Sequence, residues 1–223
     1  MSAIIMEGAR FSNLVKYELN PTYNREEVTV LAGSGSAREL LLGTVLGRIT
    51  KATASAVAGT NTGNGVMGTI TVGAAALPGD YLLKVVKAAS NAGDFVLINP
   101  LGVMVGYGSV AAAFSLGGLA FTLADGGTDF AVGDSFTITV AAGSGKVVQL
   151  DLAGTDGRED VDSIILGDVT APDGEDAAGV VLKRGPALIS DAAIIYPSGA
   201  TTNQKAAIRA ALVALGVVIR QGV

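Results

Sequence analysis

The sequence contains no cysteine, histidine or tryptophan, and its aromatic content is only 5%. Without cysteine there are no disulfides and no thiolate nucleophiles, and without histidine the commonest general base and transition-metal ligand are missing. Charged residues are few, at 16%, and acidic side chains outnumber basic ones to give a net charge of −5. We therefore expect no cofactor, and no basic surface that would give direct contact with a nucleic acid.

Apolar residues and glycine, in contrast, are abundant. Apolar residues make up 49% of the chain, which is enough to support packed cores. Glycine accounts for 31 of 223 residues, about twice its usual share. Many tight turns that join short strands would explain this composition, so we expect a mainly β fold.

An uncharged stretch from Phe95 to Ala124 raises the question of a membrane span. A transmembrane helix needs roughly 20 consecutive apolar residues. This stretch is broken by Asn99-Pro100 and Gly117-Gly118, and basic anchors do not flank it. We expect strands and turns here and no membrane contact. The first ten residues lack the basic start and apolar run of a secretion signal, so we expect synthesis in the cytoplasm.

Changes of pattern along the chain predict a discontinuous organisation. Residues 1–26 carry large apolar side chains without periodicity, which is typical of an extended N-terminal arm. Stretches of glycine and small polar residues, a linker-like one at 52–65 and another at 141–145, flank evenly spaced short strands. We interpret residues 59–142 as an inserted β domain, either a sandwich or a barrel. The remaining pieces, 27–58 and 143–223, would form one core domain.

The C-terminal part predicts one helix from Thr202 to about Leu215. Thr201 lies three residues before Gln204, which is a capping-box pattern, and Gly216 is a suitable C-terminal cap. Apolar residues recur on one face of this helix. Strands are predicted on both sides of it, at residues 194–196 and 217–219.

Two glycine-rich segments invite comparison with phosphate-binding loops. Gly143-Ser144-Gly145-Lys146 has Val140 where the first glycine is required, and Val147 follows in place of the hydroxyl residue that binds magnesium. Residues 33–36, Gly-Ser-Gly-Ser, lack the dinucleotide fingerprint and fit a hairpin turn better. We expect neither segment to bind phosphate.

Two acidic clusters could offer oxygen ligands to calcium. They consist of Asp156, Glu159, Asp160 and Asp162, and of Asp173, Glu175 and Asp176. Neither matches the EF-hand pattern, so we expect solvated loops and no metal site. A pair such as Asp160 and Asp162 could also serve acid and base catalysis, but such sites usually lie in aromatic-lined clefts. We therefore expect no enzyme, with carboxylate chemistry as the remaining enzymatic alternative.

Both ends of the chain resemble lambda-type bacteriophage head decoration proteins. The arm, Glu27-Val28-Thr29-Val30 and residues 43–49 resemble the first half of that family. Its closing strand, helix and strand resemble three segments here, 193–201, 204–208 and 214–220. The resemblance covers about residues 1–51 and 146–223 and fails across the middle, so it implies nothing about the predicted insert.

The resemblance implies a mainly β fold with little helix that assembles into homotrimers. Such trimers would bind the outside of the expanded capsid at three-fold and quasi-three-fold positions, after synthesis in the host cytoplasm. The arm would order against the major capsid protein and need apolar anchors to offset its ordering entropy. The candidate anchors are Ile4, Ile5, Phe11, Leu14, Val15 and Tyr17, although several could instead fold back onto their own domain.

A second interpretation assigns the chain to another class of protein. A β domain at residues 66–140 could make it a surface adhesin or a carbohydrate-binding module. Within a decoration protein, the same domain could contact the host surface or a glycan, or enlarge the trimer contact. The residues of the predicted insert do not distinguish these roles.

Overall fold

The structure is a computed structural model that describes residues 10–221. The chain folds into two compact units. The first unit comprises Met1–Arg48, Gly145–Ala153 and Arg158–Val223, and the second comprises Ile49–Ser144 and Gly154–Gly157. The expected mainly β fold with a single C-terminal helix is confirmed, since the other helical segments of the described residues are single turns.

The helical elements, in chain order, are α1 Phe11–Leu14, α2 Pro21–Asn24, a 3-10 turn at Asp191–Ala193, and α3 Thr202–Ala214. The strands are β1 Val15–Glu18, β2 Arg25–Val30, β3 Arg38–Leu40, β4 Val45–Arg48, β5 Lys51–Ala58, β6 Val66–Met67, β7 Thr71–Val72, β8 Gly79–Ala89, β9 Ala92–Ile98, β10 Met104–Ser109, β11 Ala113–Leu116, β12 Leu119–Ala124, β13 Ser135–Ala142, β14 Val147–Gln149, β15 Val161–Ile165, β16 Val169–Ala171, β17 Ala177–Leu182, β18 Ala187–Ser190 and β19 Val217–Arg220.

The first unit is built around a small closed barrel with the strand order β14-β2-β17-β15-β4. Val28 and Val30 of β2 point into it, while Glu27 before them and Thr29 between them are exposed, the alternation expected of a half-buried strand. A three-stranded sheet, β1-β18-β19, and a β16-β3 pair complete the unit. Helix α3 buries Ile208 and Leu212 in the apolar cluster that also holds residues of the barrel and of the three-stranded sheet.

The second unit is a β-sandwich. One sheet has the order β10-β9-β8-β13-β5; the other has the order β11-β12-β6, and β7 also pairs with β12. Both sheets contribute to one core, in which the rings of Phe95, Phe114 and Phe121 lie with centroids 4.9 to 6.0 Å apart. Such ring pairs add to the burial of apolar area.

Two predicted segments differ from the structure. The first part of the linker-like stretch at 52–65 is strand β5, which pairs with β13. Its small side chains alternate between the two faces of the sheet, as in any β-strand. The strand predicted at 194–196 is reduced to one bridge between Ile195 and Thr44. A 3-10 turn precedes this bridge, and Pro197, which has no N–H to donate, follows it.

The predicted helix and the uncharged stretch agree with expectation. The Oγ1 atom of Thr201 accepts the backbone N–H of Gln204, and the Gln204 side chain accepts the N–H of Thr201, which forms the complete capping box. Residues 95–124 fold as strands and turns of the second unit. Within residues 10–221, no helix combines the length and apolar character that a membrane crossing requires.

Candidate functional site

The residues predicted as an extended arm form, where the structure describes them, an ordered segment of the first unit. We call residues 10–26 the N-terminal segment. Strand β1 within it pairs antiparallel with β18, so that Val15 lies opposite Ile189 and Glu18 opposite Ala187. Backbone hydrogen bonds to a neighbouring strand thus fix the position of this segment on its own unit.

The side chain of Asn24 ties the N-terminal segment to a distant part of the chain. Asn24 is fully buried, and its Nδ2 donates to the carbonyl oxygens of Arg184 at 2.8 Å and Pro186 at 3.3 Å. Its Oδ1 accepts the backbone N–H of Asn20 at 2.9 Å. Because a buried amide without partners is costly, these three bonds stabilise one position of the segment.

Two arginine side chains lie over aromatic rings of the N-terminal segment. The Arg25 guanidinium lies 4.8 Å from the centre of the Phe11 ring and pairs with Glu18. The Arg184 guanidinium lies 5.5 Å from the centre of the Tyr23 ring, and its Nη1 donates to the carbonyl oxygen of Tyr23 at 2.8 Å. Cation–π contacts of this kind hold rings in place even when one side is open to solvent.

The structure separates the predicted capsid-binding residues into two groups. Leu14 and Val15 are buried in the core of the first unit, at 0% and 7% exposure. Phe11 and Tyr17 are exposed at 36% and 55%. Ile4 and Ile5 lie outside the described residues. The four described candidates therefore share one segment but do not share one surface.

Two further exposed apolar side chains in this segment were not among the predicted residues. Leu19 and Tyr23 are exposed at 64% and 56%. They flank the Asn20-Pro21 step, where Asn20 caps helix α2 through its side chain. An Asn-Pro pair favours a turn, and turns usually lie at the surface. The sequence could therefore have indicated that the side chains beside Asn20-Pro21 face solvent.

A groove of about 460 Å³ lies beside the N-terminal segment. It is lined by Asn13, Lys16, Leu42, Ser190, Ala192, Ala193 and Ile195. Most of its residues come from the end of β18, from the 3-10 turn and from the N-terminal segment itself. Its lining combines small side chains with Lys16, which makes this groove suitable for an extended peptide.

A second groove in the first unit, of about 450 Å³, is polar. Arg38 and Arg158 both line it, together with Asp151, Gln149 and Gln204. The Arg38 guanidinium donates to the carbonyl oxygen of Leu31 at 2.9 Å. Burial, followed by the nearby charge of Arg158, lowers the pKa of Arg38. This groove could receive a polar or acidic part of a partner.

Asp162, one of the carboxylates considered for a catalytic or metal site, has structural partners. Asp162 accepts from Arg48 Nε at 2.8 Å and pairs with Lys183. Burial alone would raise the pKa of Asp162, but the bonds from these two cations hold it lower. A carboxylate kept ionised in this way cannot act as a general acid at neutral pH.

The second acidic cluster fastens a turn. Asp173 accepts the N–H of Gly35 at 2.8 Å, and Asp176 accepts the N–H of Ala32 at 2.9 Å and pairs with Lys146. Residues 33–36 thus form a bend held by carboxylates, and Lys146 serves an ion pair. The expected hairpin turn is wrong, because β2 pairs with β14 and β17 whereas β3 pairs with β16. No three acidic side chains converge on a common point in the part of the chain that the structure describes.

A charged cluster joins helix α3 to the 3-10 turn. Asp191 accepts two bonds from Arg209, both at 2.8 Å, and one from the Tyr196 hydroxyl at 2.8 Å. Burial, followed by the hydrogen bond to Asp191, raises the pKa of Tyr196 to about 12. The cluster therefore orients the helix on the first unit, and its groups are all paired.

The comparisons with known proteins give one match over nearly the whole chain. The sequence model of the family described as bacteriophage lambda head decoration protein D matches residues 4–217. This range runs through the second unit without a break, so the match does not set the predicted insert apart from the family. No curated protein matches the chain.

Among solved structures, the chain is similar in part to flagellar proteins. FlgL from Xanthomonas campestris has 20% identity and a TM-score of 0.33, with 48% of this chain and 34% of that chain covered. The flagellar junction protein FlgL from Legionella pneumophila has 19% identity and a TM-score of 0.33, with 45% and 37% covered. The match covers only about a third of these structures, and we base no argument on it.

Proposed function

This chain belongs to the family of bacteriophage lambda head decoration protein D, and on that premise we propose how it acts. The family is one of structural proteins of the phage capsid and not a family of enzymes. We propose that this chain binds the outer surface of the expanded capsid as homotrimers at three-fold and quasi-three-fold positions. There it stabilises the shell against the pressure of the packaged DNA.

The observation that carries this proposal is the family match over residues 4–217. The N-terminal segment supports it as well, because it exposes the side chains of Tyr17 and Leu19 to solvent. Asn24 and the pairing of β1 with β18 fix that segment. Exposed apolar side chains on a rigid support lose little entropy when a partner covers them.

In this proposal the residues of the N-terminal segment have two roles. Leu14 and Val15 anchor the segment to its own core. The residues before it, with Ile4 and Ile5, contact the major capsid protein together with the exposed side chains of Phe11 and Tyr17. The groove lined by Lys16 and Ile195 receives an extended segment of that partner.

Trimer formation supplies the strength of the binding. Each copy needs only a modest interface with the capsid when three copies are linked, because the second and third contacts become intramolecular. A trimer that bridges neighbouring capsomers adds buried area that must be lost before they separate. The stabilising effect then grows with the number of occupied positions.

We propose that the second unit is an inserted β domain, and that it extends beyond the expected residues 59–142 to include strand β5. Its sandwich lies in the sequence between the pieces of the first unit. A contact with a host surface or glycan is favoured by one observation, the exposed ring of Tyr107 at 64%. Aromatic faces of this kind stack on apolar faces of ligands.

Binding to capsids tests the proposal directly. We expect the purified protein to co-sediment saturably with expanded capsids from which the decoration protein has been removed. Removal of residues 1–9, or the double substitution Tyr17→Ser and Leu19→Ser, should weaken this binding at least tenfold. The matched control is Leu101→Ser, since Leu101 is exposed at 76% but lies in the second unit. If neither the full chain nor the variants bind, the capsid role is wrong.

A further inference from the structure

The outer face of the five-stranded sheet in the second unit carries an apolar row. We use outer face for the side chains that point away from the sandwich core. On β8, Tyr81 and Leu83 are buried whereas Leu82 between them is exposed at 41%, so Leu82 belongs to the outer face. Register then places its neighbours in line across the sheet: Met104, Ile98, Leu82, Thr137 and Val57.

This row is open to solvent along much of its length. Val57 is exposed at 67% and Met104 at 54%. The next row adds Val96 and Tyr107, which lie opposite each other in the register of β9 and β10. Five strands spaced about 4.8 Å apart, over about 20 Å of strand, give a face of roughly 500 Å². Part of this face is apolar, and exposed apolar patches often mark a binding surface.

Two charges of the outer face, those of Asp80 and Lys84, lie on opposite sides of the row, while Lys87 and Asp94 form an ion pair with each other further along β8 and β9. Asp80 precedes Leu82 by two residues and Lys84 follows it by two, so each lies about 7 Å from the row. Both side chains are exposed, and Asp80 also accepts the Thr139 hydroxyl at 2.6 Å. A two-fold rotation about the row turns the sheet over and exchanges these two sides. Lys84 of one copy would then face Asp80 of the second copy, twice in the same contact.

From this self-complementarity we propose that the outer face binds a second copy of this chain, face to face, about a two-fold axis along the row. Such an isologous contact pairs each residue with its symmetry-related partner. Two faces of roughly 500 Å² bury about 1,000 Å² in total, which is near the lower limit for a specific interface. The association is therefore weak in dilute solution and strong where copies are held close together.

This contact is separate from capsid binding, because it uses the second unit and a two-fold axis. Sedimentation velocity of the full chain, from about 10 μM to about 1 mM, covers the range of weak association. We expect the mass to double with concentration if the starting species is a monomer; a trimer carries three such faces, so its mass should at least double. Val57→Asp should weaken the doubling at least tenfold, because it places a charge in the row. The control Val66→Asp should leave it unchanged, since Val66 is exposed at 62% on the other sheet.

A charge exchange tests the two-fold geometry itself. Asp80→Lys and Lys84→Asp should each weaken the doubling about tenfold, because like charges would then face each other across the axis. The double variant D80K/K84D should restore it to within about threefold, because the opposite pairing returns. Circular dichroism checks that each variant is folded.

Three results would overturn the proposal. The first is the absence of doubling up to about 1 mM, and the second is doubling that persists in Val57→Asp. The third is a folded D80K/K84D variant that associates no better than the single variants. Binding of an oligosaccharide panel that is lost in Tyr107→Ala, without any doubling, would assign the face to sugars instead.

Discussion

At the scale of single residues, the position of the N-terminal segment depends on the amide of Asn24. We predict that Asn24→Ala lowers the free energy of unfolding by about 2 to 3 kcal/mol, because it removes the three hydrogen bonds of a buried amide and leaves the carbonyl of Arg184 without this donor. Urea unfolding of the purified protein measures this. The exposed Asn203 serves as the matched control, and Asn203→Ala should change the stability by less than about 0.5 kcal/mol. Equal effects of the two substitutions would contradict the role of Asn24.

Acidic carboxylates with lowered pKa values make the fold sensitive to acid. Burial alone would raise the pKa of Asp134, but the N–H groups of Thr62, Gly63 and Ala131 together hold it lower, and the cations around Asp162 do the same there. A carboxylate whose pKa is lower when folded contributes stability above its unfolded pKa of about 3.9, and this is lost as pH falls through the folded value. We predict a melting temperature that is nearly constant from about pH 7 to 5 and falls below about pH 4.

Calorimetry of a matched pair tests this dependence. Asp162→Asn should lower the melting temperature at pH 7 and make its fall below about pH 4 shallower, because the ionised form no longer stabilises the fold. Glu39→Gln, at an exposed strand position, should leave the curve unchanged. A curve for Asp162→Asn that runs parallel to that of the unsubstituted protein would show that this carboxylate does not cause the sensitivity.

Residue roles could be predicted from the sequence only where the partners are local. The capping box of Thr201 and Gln204 was found because both residues lie within one helical turn. Two of the three partners of Asn24, Arg184 and Pro186, lie about 160 residues further along the chain, so no sequence pattern could indicate them. The partners of Asp162, Arg48 and Lys183, are also distant in sequence, so the sequence did not show that this carboxylate forms ion pairs. For that reason Asp162 was considered for catalysis.

At the scale of elements, strand β4 requires a glycine in the barrel wall. A Cβ atom at Gly47 would lie 2.1 Å from the carbonyl oxygen of Arg158, a backbone atom that cannot move aside cheaply. We predict that Gly47→Ala destabilises the first unit by about 2 kcal/mol or more. Gly127→Ala is the control, since nothing lies within 4 Å of its Cβ position. Guanidinium unfolding compares the two variants, and equal stability would show that the barrel accommodates the methyl group.

Elements with clear alternation were predicted well, and those with small residues were not. Strands β8 and β9 alternate buried residues with exposed or half-buried ones and were expected from the sequence. Strand β5 consists mainly of Ala, Ser and Thr, a composition that equally fits a linker, and its pairing with β13 decides its structure. The strand predicted at 194–196 is the opposite error. Its three consecutive apolar residues predicted a strand, but only Ile195 forms a β-bridge, to Thr44.

At the scale of the whole molecule, the sequence indicated the fold class and the family better than the binding surface. Glycine content and short apolar segments predicted a mainly β chain, and both ends resembled the family that the comparisons identify. The arm was expected to order against a partner or to fold back in part onto its own domain, and residues 15–18 pair with β18 of the first unit. Which side of that segment faces solvent depends on tertiary packing, and so Leu19 and Tyr23 were not predicted.

The central claim is that this chain strengthens a DNA-filled capsid by covering its outer surface. The most direct measurement is the temperature at which DNA-filled capsids without decoration protein release their DNA, with and without a saturating amount of the purified chain. We predict that the full chain raises this temperature and that the Tyr17→Ser, Leu19→Ser variant raises it less at the same concentration. An unchanged release temperature on capsids that demonstrably carry the protein would contradict the stabilising role.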